Sequence, residues 1–119
     1  MKIMLIINPC SGRIKVKGEL FDILQVFCKA GHTVTTHLTT KKGNATEVAQ
    51  KACDDHDMIV CCGGDGTLNE VVSGMLKADK PVRLGYIPAG STNDFARTMG
   101  LETDLVKAAK AIVDAKAKP

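Results

Sequence analysis

The stretch from Met58 to Met75 constrains the fold more than any other part of this chain. An apolar run, Met58-Ile-Val-Cys-Cys62, breaks into Gly63-Gly64-Asp65-Gly66, and Thr67-Leu68-Asn69-Glu70 follows. The run is short and partly β-branched, as in a strand buried on both faces. Three glycines in four residues let the backbone reach positive φ and let a ligand approach the main chain. A Thr with a Glu three residues later has capping-box spacing, which places a helix start at Thr67. Leu68, Val71, Val72, Met75 and Leu76 then recur at i, i+3, i+4, i+7 and i+8, a helix with one buried stripe. Strand, glycine turn and helix N-terminus together make an anion site in an open α/β sheet, because backbone N–H groups and the helix dipole point at the ligand.

A tight turn accounts for glycines alone, and a cap accounts for Thr67 with Glu70. Asp65 does not fit so plain a reading. A carboxylate inside an anion cradle repels phosphate unless a cation or a donor lies between them, so it points to a metal-bound phosphate or to acid/base chemistry. Other phosphate motifs fail letter by letter. No G-x-x-x-x-G-K-[ST] is present, Asn69 stands where the dinucleotide fingerprint needs its third glycine, and the protein-kinase triplets are absent.

The remaining elements alternate. Lys2–Ile7 predicts a buried strand that runs into the loop Asn8-Pro9-Cys10-Ser11-Gly12-Arg13. Residues 15–30 predict a helix with Leu20, Ile23, Leu24 and Phe27 inward and Gly31 as its C′ residue. His32–Thr39 predicts a strand, and Ala45, Val48, Ala49 and Ala52 mark the inner face of the next helix. A fourth strand spans Val82–Ile87 with Gly85 inside it. A loop and helix start follow, with Ser91 or Thr92 as N-cap, and then a last helix over 102–115 has Leu105, Ala109, Ile112 and Val113 inward. Short connections between alternating strands and helices predict an α/β fold: a doubly wound, mainly parallel sheet with helices on both faces, a Rossmann-like three-layer sandwich. No repeat or linker divides the 119 residues, which form one domain.

Composition excludes several classes. With 3% aromatic residues, no Trp and no basic tract, nucleic acid is not an expected partner; the net charge of +3 is that of solvated lysines. The five cysteines form no C-x-x-C pair, and Cys28, Cys53, Cys61 and Cys62 read as core residues of a chain in a reducing compartment. His32 and His37 lack partners at ligand spacing, so no protein metal ligand is assigned. The first apolar run stops at Asn8-Pro9, too early for a signal peptide, and nothing reaches the length of a membrane span, which predicts a cytoplasmic location.

Three motifs carry a family resemblance. Gly63-Gly64-Asp65-Gly66-Thr67-Leu68-Asn69-Glu70 resembles the nucleotide-binding motif of the diacylglycerol-kinase-type lipid kinases. That catalytic-domain family includes sphingoid-base and ceramide kinases and is related to NAD kinases and phosphofructokinases. Asn8-Pro9-Cys10-Ser11-Gly12 is similar to the family's Asn-Pro-x-Ser-Gly loop. Pro88-Ala-Gly-Ser-Thr-Asn-Asp-Phe-Ala-Arg97 resembles its Pro-x-Gly-Thr-x-Asn-Asp-Phe-Ala-Arg string, with Ser91 in place of the Thr: the hydroxyl is kept and a methyl lost. A Thr four residues ahead of Gly-x-Ala is a further family element. It carries over to Thr39, with Thr40 the neighbouring alternative.

The resemblance implies ATP with Mg²⁺, and transfer of the γ-phosphate to a lipid hydroxyl, diacylglycerol first among the acceptors. It implies that Gly63, Gly64, Gly66 and Thr67 with Leu68, Asn69 and Glu70 form the phosphate turn. Asn8, Pro9, Cys10, Ser11, Gly12 and Thr39 would line the rest of the ATP pocket, and Ser91 would support the phosphate end. Asp65 would be the catalytic residue, acting with Mg²⁺ or polarising the attacking hydroxyl; both roles stay open. Family members carry a second, β-rich domain that faces the lipid, and the sequence stops at Pro119 before one. The expectation is an N-terminal nucleotide-binding domain over 1–119 with little or no kinase activity alone. Contact with a lipid acceptor at the inner membrane face would run through the other domain, and homo-oligomerisation stays open. Two alternatives remain: an NAD kinase, which shares Gly-Gly-Asp-Gly-Thr, and a non-catalytic nucleotide-binding module.

Overall fold

The computed structural model of the chain describes residues 1–9, 13–89 and 104–114, with the side chains of 13–17 excepted. Four strands, β1 (Lys2–Ile7), β2 (Thr33–Leu38), β3 (Met58–Gly63) and β4 (Arg83–Pro88), form one sheet in the order β2-β1-β3-β4. Every pairing is parallel, with Leu5 opposite Thr36 and Val60, and Val60 opposite Gly85. Helices α1 (Arg13–Lys29), α2 (Asn44–Ala52), α3 (Asp65–Lys77) and α4 (Leu105–Asp114) cover it.

The period-2 alternation of the central strands divides the core. Ile3, Leu5, Ile7, Met58, Val60 and Cys62 face α1 and α4, where they meet Ile23, Phe27, Leu105 and Ala109. Ile6, Ile59 and Cys61 face the other way, onto Ala45 and Ala49 of α2 and Leu68 and Val71 of α3. All six residues of β3 are buried. At about 1.5–3 kcal/mol for each large apolar side chain, burial outweighs local propensity in fixing this strand. The layers are helix, sheet, helix, as the alternating pattern predicts. Among the described residues no helix is long and apolar enough to cross a membrane.

Local chemistry explains the element ends. Gly31 has φ 88°, and its N–H donates to Cys28 O while that of His32 donates to Phe27 O, the Schellman pattern at the C-terminus of α1. Gly85 sits in β4 because a Cβ there would lie 3.0 Å from Ile112 of α4. Cys28 departs from the core role its sequence suggests: it is exposed, whereas Cys53, Cys61 and Cys62 are buried.

The helix after the glycine turn begins three residues earlier than capping-box spacing predicts. Gly64 is its N-cap, with φ −89° and ψ −173°, and the cap makes no side-chain hydrogen bond. Thr67 and Glu70 do not cap α3, because both side chains are engaged elsewhere. Positive φ is likewise absent from the described part of this turn. The left-handed glycines among the described residues are Gly31 and Gly43. Gly63 is needed for space instead: a Cβ there would lie 3.0 Å from both Cβ and Oγ1 of Thr67.

Candidate functional site

The sheet order takes the chain from β1 outward to β2 and then back across β1 to β3 on its other side. That reversal opens a crevice at the strand C-terminal ends, the place where α/β sheets bind ligands. A cleft of about 490 Å³ lies there. Asn8 lines it from the end of β1, Thr39, Thr40, Lys41 and Lys42 from the β2–α2 connection, Ala45 from the first turn of α2, and Gly64, Gly66, Thr67 and Glu70 from the start of α3.

Strand pairing carries on past the strand ends and fixes the floor. Asn8 N–H donates to Cys62 O (3.2 Å), Thr39 N–H to Ile7 O (2.9 Å) and Ala89 N–H to Gly63 O (2.9 Å). Asn8 Nδ2 donates to Thr67 Oγ1 over 3.1 Å. The first N–H of α3 to bond back along the helix is that of Leu68, to Gly64 O at 3.0 Å. The N–H groups of Gly66 and Thr67 therefore precede the intrahelical ladder, at the positive end of the helix dipole. Backbone donors beside a glycine without a side chain, facing a cleft, suit an anionic ligand.

The opposite wall is held by side chains. Glu70 Oε1 accepts from Gly43 N–H at 3.0 Å, and Glu70 O accepts from Thr46 Oγ1 at 2.8 Å. Asn44 Oδ1 accepts from Thr40 N–H (3.1 Å) and from His37 Nε2–H (2.9 Å). Both threonines of the open register, Thr39 and Thr40, line the cleft.

Asp65 is half-buried beside this cleft rather than on its wall. Its carboxylate is hydrogen-bonded to the Tyr86 hydroxyl, which also stands 3.2 Å from Gly63 O. One phenolic proton thus serves two acceptors. Burial first, then the neighbouring Cys61 and Asp65, push the Tyr86 phenol well above its ordinary value, so it stays a donor.

The sequence-predicted residues divide accordingly. Asn8, Thr39, Gly64, Gly66, Thr67 and Glu70 come together around the cleft, and Gly63 lies buried beneath it. Leu68 packs in the core against α2, Asn69 is exposed, and Pro9 is exposed at the rim of the β1 end. Cys10, Ser11, Gly12 and Ser91 lie outside the described residues. Lys41, Lys42 and Tyr86 are additions. The lysines read as ordinary solvated cations in the sequence, and a lone Tyr in a strand gives no sign that its hydroxyl reaches across to Asp65. Among the described residues no three His, Cys, Asp or Glu side chains gather to hold a metal. A single carboxylate beside backbone donors that suit an anion is compatible with Mg²⁺, which binds through one or two carboxylates plus substrate phosphates.

The diacylglycerol kinase catalytic domain family matches residues 2–119 of the chain. The chain is similar to a diacylglycerol kinase of Bacillus subtilis (strain 168), with 45% identity over 117 residues, 97% of this chain and 39% of the relative. It is 40% identical over 111 residues to a diacylglycerol kinase of Staphylococcus carnosus (strain TM300), covering 92% of this chain and 36% of that one. Among solved structures, a diacylglycerol kinase from Bacillus anthracis str. Sterne superimposes with a TM-score of 0.84 at 32% identity, over 99% of this chain and 43% of that chain. The chain thus spans about two fifths of the length of the relatives it matches.

Proposed function

Because the chain belongs to the diacylglycerol kinase catalytic domain family, we propose that it is the nucleotide-binding part of a lipid kinase that transfers the γ-phosphate of ATP to diacylglycerol. The observation that carries this reading is the cleft in which Asn8, Thr39 and the N-terminal turn of α3 converge at the strand ends. Gly66 and Thr67 would offer backbone N–H groups to the phosphates, with Gly64 giving them room. Asn8 and Thr39 would border the remainder of the nucleotide, with Pro9, Cys10, Ser11 and Gly12 continuing that border and Ser91 at the phosphate end. When bound with the nucleotide, Mg²⁺ would neutralise charge on the phosphates. Asp65 would hold it or orient an attacking hydroxyl, with the Tyr86 hydroxyl steadying that carboxylate. Phosphoryl transfer is catalysed mainly by positioning and charge neutralisation, so a rigid cradle supplies much of such an enzyme.

Binding of the lipid acceptor belongs, in this proposal, to the parts of such kinases outside the two fifths matched here. The 119-residue chain is then expected to bind nucleotide and to phosphorylate little or no diacylglycerol.

Calorimetric titration of the chain with Mg-ATP, with NAD, and with Mg-ATP against Asp65→Asn tests the proposal. Binding of ATP but not NAD, altered by the substitution, is the expected result. Preference for NAD would replace this reading with the NAD kinase one. Vigorous phosphorylation of diacylglycerol by these residues alone would overturn the division of labour.

A further inference from the structure

Glu70 presents a physical problem. Its carboxylate lines a cleft whose other features suit an anion, and an ionised side chain there repels phosphate at short range. The structure gives the group other work. Gly43 is the N-cap of α2, has φ 88° and provides no side-chain cap for its own helix. Glu70, reaching from α3, accepts the Gly43 N–H at 3.0 Å. In a capping box the Glu at the third helical position makes this bond to its own N-cap. Here a second helix makes it. The carboxylate is set at the positive end of α2, where the dipole offsets its charge.

The rest of the wall shows what this bond controls. Thr39 is tied to β1, and Thr40 and Lys41 to Asn44, so those contacts fix the segment 39–42 to its own strand and helix. The Gly43 bond instead joins the end of this loop to α3. Below it α2 and α3 touch backbone to backbone: a Cβ on Gly74 would lie 2.2 Å from Thr46 O, and Thr46 Oγ1 donates to Glu70 O. The helices cannot slide at that point, so the cleft width above it depends on the loop end that Glu70 holds.

We infer that Glu70 is a positioning residue, whose carboxylate clamps the β2–α2 loop through the Gly43 N–H and so sets the width of the cleft between Lys41–Lys42 and α3. The inference rests on the nucleotide reading of that cleft. It assigns Glu70 a task in the ligand-free protein, before any nucleotide arrives.

The test measures two quantities in the wild-type chain, Glu70→Gln and Glu70→Ala: hydrogen exchange of the Gly43 amide without ligand, and Mg-ATP affinity well below the melting temperature. Glu70→Gln keeps an acceptor oxygen at the same reach. Loss of a hydrogen bond to a charged group predicts that Glu70→Ala speeds Gly43 exchange roughly tenfold and weakens Mg-ATP by about the same factor, while Glu70→Gln stays within about threefold of wild type in both. Unchanged Gly43 exchange in Glu70→Ala sinks the clamp, whatever binds. Gly43 protection restored by Gln without restored affinity also overturns the proposal, because the carboxylate would then touch the ligand itself. Failure of the wild-type chain to bind Mg-ATP, with Gly43 exchange still governed by Glu70, would instead remove the nucleotide reading and with it the ligand that the clamp is said to position.

Discussion

Asn8 Nδ2 donates to Thr67 Oγ1 over 3.1 Å, joining the end of the first strand to the first turn of α3 across 59 residues of sequence. Thr67 is buried, its hydroxyl accepts this bond, and the residue adds a polar group to the cleft it lines. Thr67→Val keeps the shape and removes both functions. Loss of one buried hydrogen bond is expected to lower stability by about 1 kcal/mol and Mg-ATP affinity by about tenfold, read by denaturant unfolding and calorimetry. Thr67→Ser should retain most of both.

Gly63 and Gly66 differ in what a methyl would meet. At Gly63 it would press on Thr67 at 3.0 Å, whereas at Gly66 nothing lies within 4 Å. Gly63→Ala is therefore expected to destabilise the chain by about 1–3 kcal/mol through overpacking. Gly66→Ala should leave thermal stability intact and still weaken nucleotide binding, since the added methyl occupies the cleft. Equal loss of stability in both variants would contradict this assignment.

At Gly74 helix propensity and packing oppose each other. Ala is favoured over Gly in a helix by about 1 kcal/mol. The new Cβ, however, would lie 2.2 Å from Thr46 O, a backbone atom that cannot rotate away. Packing wins, and Gly74→Ala is expected to cost at least about 2 kcal/mol net. A melting temperature equal to or above wild type would show that α2 and α3 separate easily. That would also weaken the case that Glu70 sets the cleft width.

The strands and their parallel arrangement were legible because burial on both faces leaves continuous apolar runs, as in residues 3–7 and 58–62. The location of the cleft was legible for the same reason: a glycine turn between such a strand and an amphipathic helix has few uses. The partners of Thr67 and Glu70 were not. Their spacing fits a capping box, and local spacing cannot reveal that Asn8 and Gly43, 59 and 27 residues away, compete for the same side chains. Gly64 took the cap position because an extended N-cap residue there suffices to start α3 at Asp65. Tyr86 escaped notice because a strand position predicts which face a side chain takes, not which carboxylate its hydroxyl meets.

The buried thiols and the phenol give a pH prediction with a definite sign. Burial pushes Cys62 from its ordinary value of 9.0 up to about 12, and burial followed by the neighbouring Cys62 raises Cys61 further. Tyr86 is raised as well, by burial first. In each case the unfolded chain loses its proton at lower pH than the folded one. The stabilisation from keeping these groups neutral is complete below pH 9 and is lost progressively as the pH rises from 9 toward 12. Urea midpoints should be flat between pH 7 and 8.5 and fall above pH 9. Tyr86→Phe and Cys62→Ala should each flatten part of that fall. At pH 8, iodoacetamide should label exposed Cys28 while sparing Cys53, Cys61 and Cys62 until urea is added. Rapid native labelling of Cys62 would mean that β3 opens at the point where it feeds the glycine turn, and the proposed cradle would then lack the rigidity that the nucleotide reading requires.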